Sequence, residues 1–306
     1  MTFESPKFEG KELSPLNRWA ERGVKEALSV VKERFENKDN KIENLDFHNT
    51  QHTQNVIQRT EKILLAMREG SAPITEKDIA LGKLSSAHHD VVQRWEENRV
   101  KDGNFEKVMR RRFIGDNEKA SARAALEFME KANQEAGEEI FKDEDMETVK
   151  EAIVVTIPEF DTERKTVIQP HLNKESSFVA RALALADIGV AGMEGYNEFG
   201  QEGDALFREE NLDILSALEN PEELTLEQKE YFRNRMLIWS KFQSEFASGR
   251  KALLEEELSG LTSSVQDEVK DLFDKFDESI VGAKETAAKR EEMTFEELAK
   301  DMGYRL

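Results

Sequence analysis

Residues 47–67 read FHNTQHTQNVIQRTEKILLAM, and their periodicity sets the fold class. Val56, Ile63 and Met67 fall near one face at helical spacing, which predicts a helix over 51–68. His52 lies one turn before Val56, so it points to the same apolar side. His48 and Asn49 stand at the head of this helix, where a His-Asn pair has the plain role of a cap. The chain has only 5 histidines, and His48 and His52 are both here. A second pair, His88-His89, is followed directly by Asp90.

Outward from this segment the same helical pattern recurs. Leu16, Trp19, Val24, Leu28, Val31 and Phe35 predict a first helix over 13–36. Thr75 followed by Asp78 is a capping-box start for a helix that carries Ile79, Leu81, Leu84, His88 and Val91. Residues 98–115 read as irregular. Asp116 or Asn117 then caps GDNEKASARAALEFMEKA, and a further helix over 146–156 ends near Pro158. ESSFVARALALADI, residues 175–188, predicts a small-residue helix that can be closely buried. The following GVAGMEGYNEFGQEG, rich in glycine, reads as a mobile connection or lid. Beyond 204 the chain is helical and more charged, with helices over 224–258 and from Ser263 or Ser264, and a polar tail that could be loosely docked. The fold class expected is all-α, with a core over 1–203 and a C-terminal helical extension over 204–306 packed on it.

Composition narrows the chemistry. The 306 residues carry 44 basic and 64 acidic side chains, a formal net charge of −20. Such a field repels polyphosphate backbones and anionic membrane surfaces, so general nucleic-acid binding is not expected. An anionic substrate would need a local positive centre. With 0 cysteines, disulfides, thiolate metal sites and cysteine nucleophiles are excluded, and any metal must be held by His and carboxylate. MTFESPKFEGKELS at the N-terminus has no apolar signal region, and no run reaches the roughly 18 apolar residues that span a bilayer. A cytoplasmic location is the expectation.

Against that background the histidines form a pattern. Adjacent helical side chains diverge by roughly 100°, so His89 and Asp90 share one ion only if it lies between their directions. Imidazole and carboxylate together suit a hard or borderline divalent cation. Asp187, in the otherwise small and apolar RALALADIG, supplies a further carboxylate; its plain alternatives are a salt bridge to Arg181 or an exposed helix face. His88 points away from His89 and reads as a neighbour, and His171 stays ambiguous.

The order His52, His89-Asp90, Asp187 resembles the H…HD…D signature of HD-domain metal-dependent phosphohydrolases. HNTQHTQNV is similar to the HNxxHxxxV segment of the cyclic-nucleotide phosphodiesterase branch and to the YHNxxH segment of a set of predicted bacterial HD phosphohydrolases, in which the HD motif is followed by DNExxSA. Here AHHDVV is followed by DNEKASA, residues 116–122. The resemblance covers roughly 45–190 and implies an HD-domain helical bundle. It implies His52, His89, Asp90 and Asp187 as ligands of one or two divalent ions, with Mn, Fe, Mg, Co and Zn left open. It also implies His48 as the group that protonates the leaving oxygen. Arg94 stands where the phosphodiesterases have a further histidine, and Gln93 where HD-GYP enzymes have lysine, so neither subfamily's substrate carries over.

The expected function is hydrolysis of a small phosphate ester or nucleotide through a metal-activated water. Asp90 and His48 take catalytic roles, and Glu118 orients a histidine or water. The plain alternative for Glu118 is a helix-start carboxylate favouring the dipole. Arg110, Arg111 and Arg112 form the densest basic run and are the candidate phosphate-binding residues; their plain alternative is a solvated face or helix end. The alternative function is a non-catalytic helical module that keeps the core for ligand sensing or regulation. A small phosphorylated substrate is the expected partner, and a homo-oligomer is left open.

Overall fold

The computed structural model describes residues 13–305, and it is mostly α-helical. The stretch MTFESPKFEGKELS read above falls almost wholly outside these residues. Helix α1 (Pro15–Phe35) starts where Ser14 accepts from the Asn17 N–H at 3.1 Å and proline occupies the first helical position. It buries Ala20, Gly23, Ala27 and Val31. Helix α2 (Thr50–Glu69) turns Val56, Ile63, Leu64 and Met67 inward, and α3 (Glu76–His88) begins with the expected Thr75–Asp78 capping box.

After α3 the chain forms a β-hairpin, β1 (Trp95–Asp102) and β2 (Phe105–Arg112), paired antiparallel from Trp95↔Arg112 to Asp102↔Phe105. The expectation of an irregular segment is therefore corrected. The hairpin is mostly exposed on β1, so no apolar period marks it. The local signal is instead the turn: Gly103 sits at φ 63°, between Asp102 and Asn104.

Helices α4 (Asp116–Ala136) and α5 (Asp143–Val154) follow, then a short hairpin of β3 (Glu159–Asp161) and β4 (Thr166–Ile168). Helix α6 (Phe178–Asp187) is buried almost all round, its alanines letting α2 and α5 approach closely, and it delivers Asp187 as its last residue. The glycine-rich stretch expected to be a lid folds instead into α7 (Val190–Met193) and the start of α8 (Tyr196–Glu210). Gly192 lies against Phe273 and Phe276, where a Cβ would come within 2.6 Å of a ring carbon, so here the glycine serves packing.

Helix α9 (Leu212–Ala217) leads to the long α10 (Leu226–Glu257), then α11 (Ser263–Asp271), α12 (Phe276–Glu291) and α13 (Phe295–Asp301). The expected boundary at 203/204 falls inside α8, and Leu254, Val265, Val269, Phe273 and Phe276 share one core with α2 and α6. The C-terminal segment is thus part of the fold. Its end is not a loose tail: Phe295, Leu298, Met302 and Tyr304 are buried with Phe232 and Met236. Arg290, buried on α12, joins Asp204 of α8 at 2.5 Å and Asp301 of α13 at 2.9 Å.

Helix α10 also carries the β3–β4 hairpin. Gly249 lets the two meet, since a Cβ there would lie 2.5 Å from the Arg164 carbonyl oxygen. Alanine is the better helix former by about 1 kcal/mol, but a backbone clash cannot be relieved by rotating a side chain. Gly249→Ala is expected to destabilise the protein by about 1–3 kcal/mol in denaturant titration. An unchanged or raised midpoint would show that the hairpin is free to move away.

Candidate metal centre and its cavity

At the head of α2, the Asn49 side chain accepts from the N–H groups of Gln51 at 2.9 Å and His52 at 3.0 Å. The cap aims His52 inward, so capping and site placement are one device. Helix α3 ends at His88, leaving His89 and Asp90 on the departing turn. That geometry lets neighbouring side chains converge where an ideal helix would part them. The His89 Nδ1–H donates to the Ser86 carbonyl at 2.6 Å, which fixes the tautomer and turns Nε2 toward α6.

His52 Nε2 lies 3.5 Å from Asp187 Oδ1, and His89 Nε2 lies 3.4 Å from the same oxygen. Asp90 Oδ2 is 3.1 Å from His89 Nε2 and 3.7 Å from His52 Nε2. Ligand atoms of His52, His89 and Asp187 all fall within 4.8 Å of one another. Both nitrogens of His52 and Nε2 of His89 are buried and have no hydrogen-bond partner. Burial alone would push the Asp187 and Asp90 carboxyls up. The facing imidazoles outweigh it and hold both well below the usual range, while burial's downward pull on His89 is outweighed by the two carboxylates. Imidazolium can meet the carboxylate charge, and so can a divalent cation, for which two imidazoles and two carboxylates are a fitting donor set.

Asp90 is steadied from its other side. The Gln93 amide N–H donates to Asp90 Oδ1 at 2.6 Å, and the Arg112 Nε–H donates to Gln93 Oε1 at 2.8 Å. Arg112 reaches within 3.9 Å of Asp90 and 3.7 Å of Glu118, a buried carboxylate whose pKa is raised by burial. The DNEKASA segment explains the loop that carries these groups. Asn117 bonds both the N–H and the carbonyl of Arg94, at 3.0 and 2.9 Å, and Ser121 Oγ accepts from the Val92 N–H at 3.1 Å. Glu118 itself accepts from the Gly115 N–H, which is its helix-start reading, and the charged group beside it is Arg112 rather than a histidine.

His48 sits one turn before His52. Its Nδ1 bonds Glu209 Oε1 at 2.5 Å, and Glu209 also accepts from the backbone N–H groups of Phe47 and His48. Burial raises the Glu209 carboxyl, but the charge and hydrogen bonds of His48 prevail and lower its pKa to about 2. The adjacent Glu210 goes the other way, pushed up to about 7 by burial and by the charge of Glu209.

These groups border a cavity of about 390 Å³ lined by His48, Asp90, Arg112, Glu118, Asp187 and Glu210 among others. The arginine run does not act as a unit, because strand alternation splits it. Arg112 lines the cavity. Arg110 is buried away from it, donating to the carbonyls of Glu209, Ile42 and Asn44 and lying 4.3 Å over the Trp95 ring. Arg111, 67 % exposed in its side chain, points out toward Glu96. The substrate-binding expectation is thus corrected for Arg110 and Arg111. His88 bonds the Leu84 carbonyl, and burial lowers its pKa to about 4; His171 is exposed, and neither lies in the cluster. Arg181 instead reaches the carbonyls of Asn173 and Glu257, which removes the salt-bridge alternative for Asp187.

Sequence reasoning missed Glu209, Glu210 and Gln93 as site residues. Gln93 had a signal, its place one turn after Asp90. Nothing local marks Glu209, whose relation to His48 is purely spatial. No protein-family model, curated protein or solved structure matches the chain.

Glu210 generates a pH prediction. Its folded pKa of about 7 lies above the ordinary 4.5 of a glutamate, so the folded state binds the extra proton and stability falls as pH rises between these values. Glu210→Gln should remove this loss. The variant is expected to gain thermal stability over the parent at about pH 8 and to gain little at about pH 5. An equal difference at both pH values would refute the assignment.

Proposed function

We propose that the protein is a metal-dependent phosphohydrolase of the HD type, acting on a small phosphate ester or nucleotide. One observation carries the reading. Two buried imidazoles with unpartnered nitrogens and the Asp187 carboxylate, from three separate elements, converge beside a cavity that holds His48 and Arg112. Buried imidazole nitrogens are ordinarily hydrogen-bonded, and here two of them face one carboxylate oxygen at 3.4 and 3.5 Å instead. His52, His89, Asp187 and Asp90 are the residues that would hold the ion. A bound divalent cation supplies Lewis acidity, drawing charge from phosphoryl oxygens and making water more acidic.

The chain's own groups do the rest. Arg112 gives the phosphate a counter-charge inside an acidic protein, and its guanidinium is oriented through Gln93. Glu209 fixes the His48 ring by taking Nδ1–H, so that Nε2 can carry the proton given to the leaving oxygen. Glu118 holds Arg112 from below and closes its own helix start.

Elemental analysis of protein purified without chelator tests the metal. The parent is expected to hold at least about one equivalent of a divalent ion, and His89→Ala and Asp187→Ala to lose most of it along with phosphatase or phosphodiesterase activity. Equal metal content in all three would refute the ligand set. Metal without turnover on any phosphate ester would favour the ligand-sensing alternative.

His48 separates proton transfer from metal binding. His48→Asn should keep the metal and lose about 10²–10⁴ in kcat on esters of alkyl alcohols. Nitrophenyl esters, whose leaving group needs no proton, should lose less. A uniform loss on both would show that His48 only shapes the cavity.

A further inference from the structure

The cavity has two unlike ends. The polar end is the metal cluster with His48 and Arg112. The other is walled by Phe160 of β3, Val167 of β4, and Trp239, Phe242 and Phe246 of α10. The rings form a continuous surface: Phe242 lies 5.9 Å from Phe160, 5.9 Å from Trp239 and 6.1 Å from Phe246, centroid to centroid. Phe160 is 50 % exposed and covers the mouth from the hairpin side.

The polar groups near this wall are mostly committed. The Trp239 Nε1–H donates to the Gly203 carbonyl at 3.1 Å, and the Thr156 hydroxyl donates to the Ile153 carbonyl at 2.8 Å. Among the described lining residues at this end, only the Gln243 amide is left without a bond. A nucleobase or sugar brought here would lose its hydrogen bonds to water and find few in return, which makes polar organic groups poor occupants. Charge gives the second restriction. Among the described lining residues Arg112 is the one guanidinium or ammonium group, which suits a single phosphate beside the metal cluster. The volume, about 390 Å³, is that of a pocket enclosing a small organic molecule.

We infer that the substrate is a phosphate monoester of a hydrophobic alkyl or aryl alcohol, with its phosphate at Arg112 and its organic group against the aromatic wall. This rests on the phosphohydrolase reading above. In the reaction the bond from phosphorus to the alcohol oxygen breaks and one from phosphorus to a water oxygen forms. The leaving oxygen takes its proton from His48, and the products are the free alcohol and inorganic phosphate. The wall belongs to α10 and the β3–β4 hairpin, so the C-terminal helices set specificity while the N-terminal helices hold the chemistry.

Alkylphosphonates are not hydrolysed, so they read binding without turnover. Titration calorimetry of the metal-loaded full chain with methyl-, butyl- and hexylphosphonate should show affinity rising about threefold for each added methylene. Phe160→Ser and Phe242→Ser should each flatten that rise, and Phe160→Ser, at a half-exposed position, should leave the fold intact by circular dichroism. Affinity that is equal across the series, with methylphosphonate binding well, overturns this inference and leaves the phosphohydrolase reading standing. If no phosphonate binds while hexanol does, the phosphate assignment fails at its root and the ester inference falls with it. A rise with chain length that survives both serine variants would also overturn it, because the apolar contact would lie elsewhere.

Discussion

Two imidazoles and two carboxylates are gathered in the interior of a close-packed helical protein, and the rest of the site is arranged around that burden. Buried carboxylates are tolerated only with a positive partner, and buried imidazole nitrogens only with a bond. Part of the need is met locally: Gln93 bonds Asp90, and the Ser86 carbonyl takes one His89 proton. What remains is both nitrogens of His52 and Nε2 of His89, buried and without a hydrogen-bond partner. Buried arginines such as Arg59 and Arg250 also leave a nitrogen unbonded, but each is paired with a carboxylate at 2.5–2.7 Å; here the unbonded atoms are imidazole nitrogens, two of which converge on one carboxylate oxygen. Arg290 with Asp204 and Asp301 is buried and charged but satisfied, and it holds helices together.

The elements around the cluster carry out different tasks because of how firmly each is held. Helices α2, α3 and α6 are packed tightly enough to place ligand atoms, and the small residues of α6 are the reason. The segment between α3 and β1 has no regular structure, yet Asn117 and Ser121 pin its backbone, so it presents Asp90 and Gln93 as rigidly as a helix would. The β1–β2 hairpin extends outward but returns Arg112 to the cavity, and the buried Arg110 anchors its base. Strand alternation turns Arg111 out to the surface, and position along the shared inner face then divides the anchor Arg110 from the cavity residue Arg112.

The C-terminal helices complete the site rather than append to it. Glu209 near the end of α8 positions His48, Glu210 beside it faces the cavity, and α10 walls the apolar end. Burial pushes both adjacent carboxyls up, and only Glu209 has partners that reverse it. Ionised Glu209 is compensated by His48 and backbone N–H groups, and its charge then helps keep the proton on Glu210.

Much of this was legible in the chain itself. Apolar spacing determined the helices at 15–35, 50–69 and 76–88, and Thr75–Asp78 set a helix start, because caps and periodicity are local physics. The absence of cysteine limited any metal to His and carboxylate, and His52, His89 and Asp187, singled out in the sequence, are the residues the structure brings together as a group that could hold an ion. Other features waited on the tertiary structure. The hairpin at 95–112 has an exposed strand with no apolar alternation, so only its pairing defines it. The glycine-rich stretch at 189–203 became helix because the rings of Phe273 and Phe276 occupy the room its glycines leave. Above all, Glu209 meets His48 across most of the chain's length. Which charged residue of a charged helix is buried against a distant histidine is decided by packing, since the energy of that contact exists only when the intervening helices have assembled.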